Sequence, residues 1–298
     1  MTTATARPPS AIMAATRTIL TIARLTLREA TRKRVIWALL VLSVLLLSLS
    51  AWGFSQLPGM DTSMGRLTSG QSRLLASELL NLVMFGMSMI VALGTAFLAG
   101  PTLGGELESG VSLAMVARPV HRSAVLLGKW LGLVTFGAAY ICLAGLAQIA
   151  VVGLTVSYWP PSPILALGLL SLETIVLLTL ALLLSSLISP LASGITTVGL
   201  FGATWVAGVV GGIGTALDNE GVARIGTVSA VLLPTDGLWR GAMHAIQDPQ
   251  ALMQLGRASE GFPFVSVSSL SVAYFAWVVL WIVTVLTVCI VSFRRRTI

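Results

Sequence analysis

The sequence predicts an all-α integral membrane protein with six transmembrane helices, an N-terminal amphipathic interfacial helix, and a re-entrant or surface helical segment before the last span. Of the 298 residues, 56% are hydrophobic and only 10% are charged, and the mean hydropathy is +0.93. A water-soluble fold of this size cannot bury so much apolar surface. The apolar residues form continuous runs rather than alternating with polar ones, which favours helices over a β-barrel.

Six apolar runs are each long enough to cross the hydrocarbon layer of roughly 30 Å as a helix. They cover about residues 35–57, 79–98, 124–156, 164–188, 191–213 and 270–293. Only Ser189 and Pro190 separate the fourth run from the fifth, so these two helices are expected to be antiparallel neighbours. We therefore predict that residues 35–298 form one six-span domain.

The distribution of Lys and Arg predicts the orientation of these spans. Basic residues cluster before the first span, between the second and third spans, and after the last one, whereas the other side has only Arg66, Arg73, Arg224, Arg240 and Arg257. The positive-inside rule then places both termini and the loop 100–122 in the cytoplasm, in a multi-pass protein of the cytoplasmic (inner) membrane. The net charge of +7 belongs to these flanking cations, which face anionic lipid, so nucleic-acid binding is not expected.

Two segments outside the spans have patterns of their own. Residues 1–15 are expected to be disordered, and residues 16–34 to form an amphipathic helix in the cytoplasmic interface, with Arg17, Arg24, Arg28 and Arg32 opposite an apolar face. This helix is either a simple membrane anchor or also a contact for a partner. In the outer segment 214–269, Thr235 or Asp236 is expected to cap a short helix with apolar residues at helical spacing, namely Leu238, Trp239, Ala242, Met243 and Ile246. A plain structured loop is the alternative.

The sequence contains little catalytic chemistry. His121 and His244 lie outside the predicted spans, which argues against a haem or metal site between spans. Cys142 and Cys289 lie inside spans and are expected to be buried apolar fillers. The only Gly-Lys pair, Gly128-Lys129, lacks the glycine spacing of a phosphate-binding loop. We expect no catalytic residue, metal or cofactor in this chain, and no ATP hydrolysis by the chain alone.

Two carboxylates lie in or at predicted spans, where charge is costly and often functional. Glu78 begins the second span and has a simple alternative, since it can reach the outer interface and pair with Arg73. Glu173, inside the fourth span, is the better candidate for handling substrate, and an interhelical hydrogen bond is its alternative role. Glycines recur in the spans and are expected to allow close helix packing.

The loop between the second and third spans has the most specific pattern. It contains Gly104-Gly105-Glu106-Leu107-Glu108-Ser109-Gly110, then an apolar stretch, Arg118-Pro119, a basic turn, and Leu126-Leu127-Gly128-Lys129. This loop resembles that of ABC-2 type transporter permeases, and the resemblance extends to the basic N-terminal helix, the six spans and the outer segment. Val111 departs from the Thr that the family commonly has. Within the family, the pattern is most similar to permeases of copper-enzyme maturation systems.

The resemblance implies a permease subunit of an exporter. Its partners would be a second permease subunit, expected to be a copy of itself, and two separate ATP-binding subunits that hold ATP and Mg. The loop 100–122 would be the coupling element that docks on the ATPase, with polar contacts from Glu106, Glu108, Arg118 and Arg122 and apolar ones from Leu113 and Met115. The alternative is that these charges are merely solvated.

Two other functions remain open at this stage: a stand-alone secondary transporter, and a non-transporting scaffold or signalling subunit. A secondary transporter normally has more intramembrane polar groups and inverted repeats than this sequence shows. The substrate is not predicted, because a pathway of Leu, Val, Gly, Ser and Thr suits lipids, drugs and peptides equally.

Overall fold

The computed structural model describes residues 11–57, 61–62, 65–66, 69–108, 121–249, 263–266 and 269–295. Six helices in these ranges are long and apolar enough to cross a membrane, which confirms the predicted class and number of spans. The helices are α1 Ala11–Ala30, α2 Arg34–Gln56, α3 Ser69–Glu108, α4 Arg122–Val156, α5 Pro163–Ser185, α6 Pro190–Ala216, α7 Glu220–Leu232, α8 Thr235–Ile246 and α9 Val272–Arg295. Between α2 and α3, the two-residue strands β1 Asp61–Thr62 and β2 Gly65–Arg66 pair antiparallel.

The boundary of the second span differs most from its prediction. α3 has 40 residues, and the first part of the predicted loop 100–122 is its helical end. The Gly100-Pro101 pair suggested a helix end, because proline lacks the N–H that an interior helical position donates. The helix nevertheless continues through both residues, and Gly100 packs against α6, where a Cβ would lie 2.6 Å from the Pro190 carbonyl oxygen. A glycine at this point therefore serves helix contact rather than termination.

α3 and α5 form the centre of the bundle. In each, 61% of the most apolar window is buried, compared with 22% in α2 and 17% in α9. α5 packs against α3, α4, α6, α8 and α9, and the predicted contact between α5 and α6 is present. The outer faces of α2 and α9 are thus left for lipid or for another subunit.

The N-terminal helix is present, but it begins at Ala11, before the predicted start at residue 16. Its apolar face packs on the beginning of α4, where a Cβ on Gly128 would lie 2.7 Å from Ile22 Cβ and one on Gly132 would lie 2.6 Å from the Ala23 carbonyl oxygen. The side chains of Arg17, Arg24 and Arg28 are exposed. These basic residues therefore lie on an exposed face of α1, and a protein helix covers part of its apolar face. Its place at a lipid interface stays a prediction.

The segment before the last span is a helical hairpin formed by α7 and α8. α7 runs antiparallel to α6: Gly214 contacts Val222 and Ala223, and Gly211 contacts Gly226. The tip of the hairpin reaches Thr204, whose hydroxyl lies 2.8 Å from that of Thr235. From Gly214 to Thr204 is about 15 Å along α6. α7 therefore runs back about 15 Å alongside α6, as a re-entrant segment does. The alternative of a plain loop is wrong.

α8 runs back toward the end of the bundle from which α7 came. The Ser162 N–H donates to the Ala245 carbonyl at 3.2 Å, and the Tyr158 hydroxyl donates to the Ile246 carbonyl at 2.6 Å. The predicted cap is wrong, because the N-cap position is Pro234 and no side chain caps the helix. We call this end of the bundle the hairpin side, and the end with α1 and the α3–α4 connection the loop side.

α9 secures the end of α7 through three aromatic side chains spaced i, i+3 and i+7. Tyr274 Oη, Trp277 Nε1 and Trp281 Nε1 donate to the carbonyls of Ala230, Val231 and Leu232 at 3.0, 3.1 and 2.8 Å. The last carbonyls of a helix have no partner within it, and such groups are costly where water is scarce. These donors therefore stabilise a helix end that lies beside the spans.

Candidate coupling and membrane-embedded polar sites

The structure places the predicted coupling residues unevenly. Glu106 and Glu108 lie in the last turn of α3, and Arg122 is the first residue of α4 and half-buried. Leu113, Met115 and Arg118 lie outside the described residues. The two helices that flank the loop are therefore defined, and the contact role of all six residues stays a prediction.

A cluster of hydrogen bonds around Thr102 ties four helices together on the loop side. The Nζ of Lys129, on α4, donates to the Thr102 carbonyl of α3 at 2.8 Å. The Nζ of Lys33, which precedes α2, donates to the Thr102 hydroxyl at 3.3 Å and pairs with Glu29 of α1 at 3.0 Å. We call Glu29, Lys33, Thr102 and Lys129 the Thr102 junction. It connects both helices that flank the predicted coupling loop to α1 and α2.

Lys129 is the buried charged member of the Thr102 junction. Its side chain is 5% exposed, and a lysine with so little access to water needs hydrogen-bond acceptors for its ammonium group. Gly128, one position before it, brings α1 close to α4. In the Gly128-Lys129 pair, the glycine therefore allows close helix packing and the lysine forms a hydrogen bond between helices.

Glu173 lies in the centre of the bundle on α5 and is 2% exposed. The Ser88 hydroxyl of α3 donates to Glu173 Oε2 at 3.0 Å. Its other oxygen, Oε1, is buried without a hydrogen-bond partner among the described residues. The predicted interhelical hydrogen bond is therefore present, and the second oxygen is available for a further interaction.

Next to Glu173, the start of α8 carries a second buried carboxylate. Asp236 is 5% exposed, and its Oδ2 accepts from Arg240 Nε at 2.9 Å, one helical turn further on. A Cβ on Gly208 of α6 would overlap the Asp236 carboxylate, so only glycine leaves room for it there. Burial raises the pKa of Asp236 above its usual range, and the charge and hydrogen bond of Arg240 oppose that rise.

An aromatic cluster surrounds these carboxylates. The ring of Phe85 lies 4.8 Å from Trp205, 5.4 Å from Trp239 and 5.7 Å from Phe264, measured between centroids. The indole Nε1 atoms of Trp205 and Trp239 are buried and have no acceptor among the described residues. An apolar, aromatic environment of this kind strengthens any electrostatic interaction within it.

Glu78 is not part of this central group. Its carboxylate accepts from Gln247 Nε2 at 3.4 Å, and Gln247 also donates to the Phe264 carbonyl at 3.2 Å and accepts from the Ser266 N–H at 3.0 Å. Pairing of Glu78 with Arg73 is wrong, since the Arg73 side chain is exposed and forms no ion pair with it. Glu78 therefore helps to hold residues 264–266 against the end of α8.

Sequence reasoning missed several residues of the central group. Ser88, Trp205 and Arg240 were not singled out, and Asp236 was expected only as a helix cap. The i, i+4 spacing of Asp236 and Arg240 on one predicted helix was a usable signal for their ion pair. No local pattern connects Ser88 to Glu173, which lies 85 residues further along the chain.

The fold is that of a polytopic helical membrane protein. Its helices are linked on the loop side by the Thr102 junction, and its centre contains a buried carboxylate. A family model described as "ABC-2 family transporter protein" matches residues 20–298. The chain belongs to this family, and it is a multi-pass membrane permease subunit of an ABC transporter, the kind of subunit that works with a separate ATP-binding subunit. The copper-enzyme-maturation subgroup stays a prediction. A search of curated proteins finds no significant match.

Proposed function

We propose that this chain forms the substrate pathway of an ABC exporter as a dimer with a second copy of itself. The chain lies in the inner membrane, and two ATP-binding subunits dock on its loop 100–122 from the cytoplasm. ATP and Mg are held by those subunits and not by this chain. Export is the direction that the resemblance of the sequence to its family implies.

The Thr102 junction is the observation that best supports coupling through this loop. A force applied to the loop acts on the end of α3 and the beginning of α4, which flank it. Lys129 holds those two helices together, and Lys33 and Glu29 join α2 and α1 to them. Since packed helices move as rigid bodies, one docking event on the loop is expected to move four helices together.

Orientation and assembly rest on further features of the chain. The basic residues at the loop side, including the exposed Arg17, Arg24 and Arg28, support a cytoplasmic position for that side by the positive-inside rule. The exposed apolar face of α2 includes Trp37, at 70%, and Leu45, at 63%. This little-buried face of a spanning helix is the surface on which the second subunit is proposed to pack.

The test is the ATPase activity of the assembled complex in nanodiscs, with Glu106→Gln/Glu108→Gln compared with wild type. If these carboxylates contact the ATPase, their loss reduces hydrogen bonding at the interface, and coupled ATPase activity is expected to fall about 5- to 100-fold. The matched control is Glu220→Gln, since Glu220 is an exposed acid on the opposite side of the bundle that pairs with Arg224. It is expected to leave the activity unchanged.

Three outcomes would contradict the proposal. Equal activities of the double variant and wild type would show that Glu106 and Glu108 are not coupling contacts. A complex that transports substrate without any ATP-binding subunit would instead favour the stand-alone secondary transporter. A complex that hydrolyses ATP and moves no substrate would favour the scaffold.

A further inference from the structure

Four buried polar atoms that have no hydrogen-bond partner among the described residues belong to neighbouring side chains in the bundle. They are Glu173 Oε1, Asp236 Oδ1, Trp205 Nε1 and Trp239 Nε1. The ring of Phe85 connects the two tryptophans, and Ser88, one turn along α3 from Phe85, holds Glu173. Asp236 lies one turn before Trp239 on α8 and against Gly208, one turn after Trp205 on α6. Four elements thus enclose one polar site.

The unpaired atoms are two hydrogen-bond acceptors and two donors. Water is the small molecule that offers both functions, and a buried water typically makes about three hydrogen bonds. Water held between the carboxylates and the indoles would supply the partners that these atoms lack.

The charges in this site do not balance. Asp236 is neutralised by Arg240 at 2.9 Å, whereas no described Lys, Arg or His forms an ion pair with Glu173. An unpaired charge is strongly unfavourable in a low-dielectric environment. That penalty is removed when Glu173 carries a proton, and the carboxyl O–H then donates a hydrogen bond to an acceptor in the site.

We propose that Glu173 binds a proton in a hydrated site that it shares with Asp236, and that this site takes up and releases one proton within the membrane. The inference concerns an activity beyond the ATP-driven permease and does not depend on it. The shared water allows the proton to move between the two carboxylates without passing through apolar side chains.

The neighbouring elements present few other groups that could carry this proton. Along the surfaces packed against α5, the described titratable side chains are Glu78 on α3, Lys129, Tyr140 and Cys142 on α4, Asp236, Arg240 and His244 on α8, and Tyr274 and Cys289 on α9. The part of α6 that the structure describes has none. Glu78 bonds Gln247, Lys129 bonds Thr102, Tyr140 bonds the Leu39 carbonyl and Tyr274 bonds the Ala230 carbonyl. Asp236 also bonds Arg240 through Oδ2, but its Oδ1 has no partner among the described residues, so it is the acid that we pair with Glu173.

The test is modification by dicyclohexylcarbodiimide, an apolar reagent that reacts with protonated carboxyl groups. The full chain is treated in its own membranes between about pH 6 and about pH 9, a range above the ordinary pKa of a carboxyl group, and the peptides are analysed by mass spectrometry. Glu173 is expected to be labelled near neutral pH, with labelling that falls as the pH rises. Glu29 and Glu220, which are ion-paired at the surface, are the internal controls and are expected to stay unlabelled.

Two variants sharpen the result. Glu173→Gln is expected to abolish label on that peptide and leave other peptides unchanged. Asp236→Asn removes the neighbouring negative charge, so Glu173 ionises more easily and its labelling at neutral pH is expected to fall several-fold, with Glu78→Gln as the control that leaves it unchanged. The pH profile of the wild-type chain is informative even if a variant does not fold.

Three results would overturn the proposal. Glu173 that stays unlabelled at every pH is ionised throughout. Labelling that does not change with pH shows that no proton is released. Protection by Na⁺ at constant pH shows that the site holds a metal cation instead of a proton.

Discussion

The aromatic donors of α9 lead to a prediction about the stability of the hairpin. In a continuing helix, the residue four positions after Ala230 would donate its N–H to the Ala230 carbonyl. That residue is Pro234, which has no N–H. That carbonyl depends instead on the Tyr274 hydroxyl, at 3.0 Å. Tyr274→Phe keeps the ring and removes only this donor.

The expected cost follows from the loss of one neutral hydrogen bond, which leaves the Ala230 carbonyl without a donor among the described residues. Such a bond contributes about 1 kcal/mol, and bonds between transmembrane helices fall in a similar range. We therefore expect the amides of α7 to open about 5-fold more often in Tyr274→Phe than in wild type, as measured by hydrogen–deuterium exchange of the protein in nanodiscs.

Tyr140→Phe is the matched control. Its hydroxyl also donates to a backbone carbonyl, that of Leu39, at 3.0 Å, but between α4 and α2. This variant is expected to leave exchange in α7 at the wild-type rate. Equal exchange of α7 in Tyr274→Phe and wild type would refute the claim that the hydroxyl stabilises the end of this helix.

Two further predictions concern the loop side. Gly132→Val places a side chain where a Cβ already lies 2.6 Å from the Ala23 carbonyl oxygen, so the midpoint of thermal unfolding in detergent is expected to fall by the equivalent of about 1–3 kcal/mol. Gly199→Val, with nothing within 4 Å of its Cβ, is the control, and equal midpoints would contradict the packing argument. Lys129→Met removes the ammonium group that donates to the Thr102 carbonyl at 2.8 Å. We expect a lower midpoint of thermal unfolding and weaker stimulation of the partner ATPase. A variant that matches wild type in both measurements would show that this bond does not couple α3 to α4.

The spans were predictable from sequence because each is a continuous apolar run, and hydropathy is a local property. The length of α3 was not predictable, since Gly100 and Pro101 suggest an end, and only the fold shows that Gly100 instead packs against Pro190 of α6. α8 was expected from its apolar spacing. α7 has no buried residue and no strong pattern, and its position depends on a contact between Gly211 and Gly226.

The candidate sites divide in the same way. A glutamate in an apolar run is conspicuous in any sequence, so Glu173 was found. The neighbours of Glu173 were not predicted, because Ser88, Asp236 and Trp205 come from three other elements that only the tertiary fold brings together. Similarly, Lys129 was noted as part of a motif, whereas its bond to Thr102 required the packing of α3 on α4.

On the proposed function, a separate ATPase moves this permease subunit. The most direct measurement is affinity purification of the tagged chain from its own membranes in mild detergent, followed by quantitative mass spectrometry and an ATPase assay. We expect one ATP-binding subunit to co-purify for each copy of the chain, and ATP hydrolysis that depends on it. Purification of the intact, monodisperse chain without any ATP-binding subunit would contradict the account.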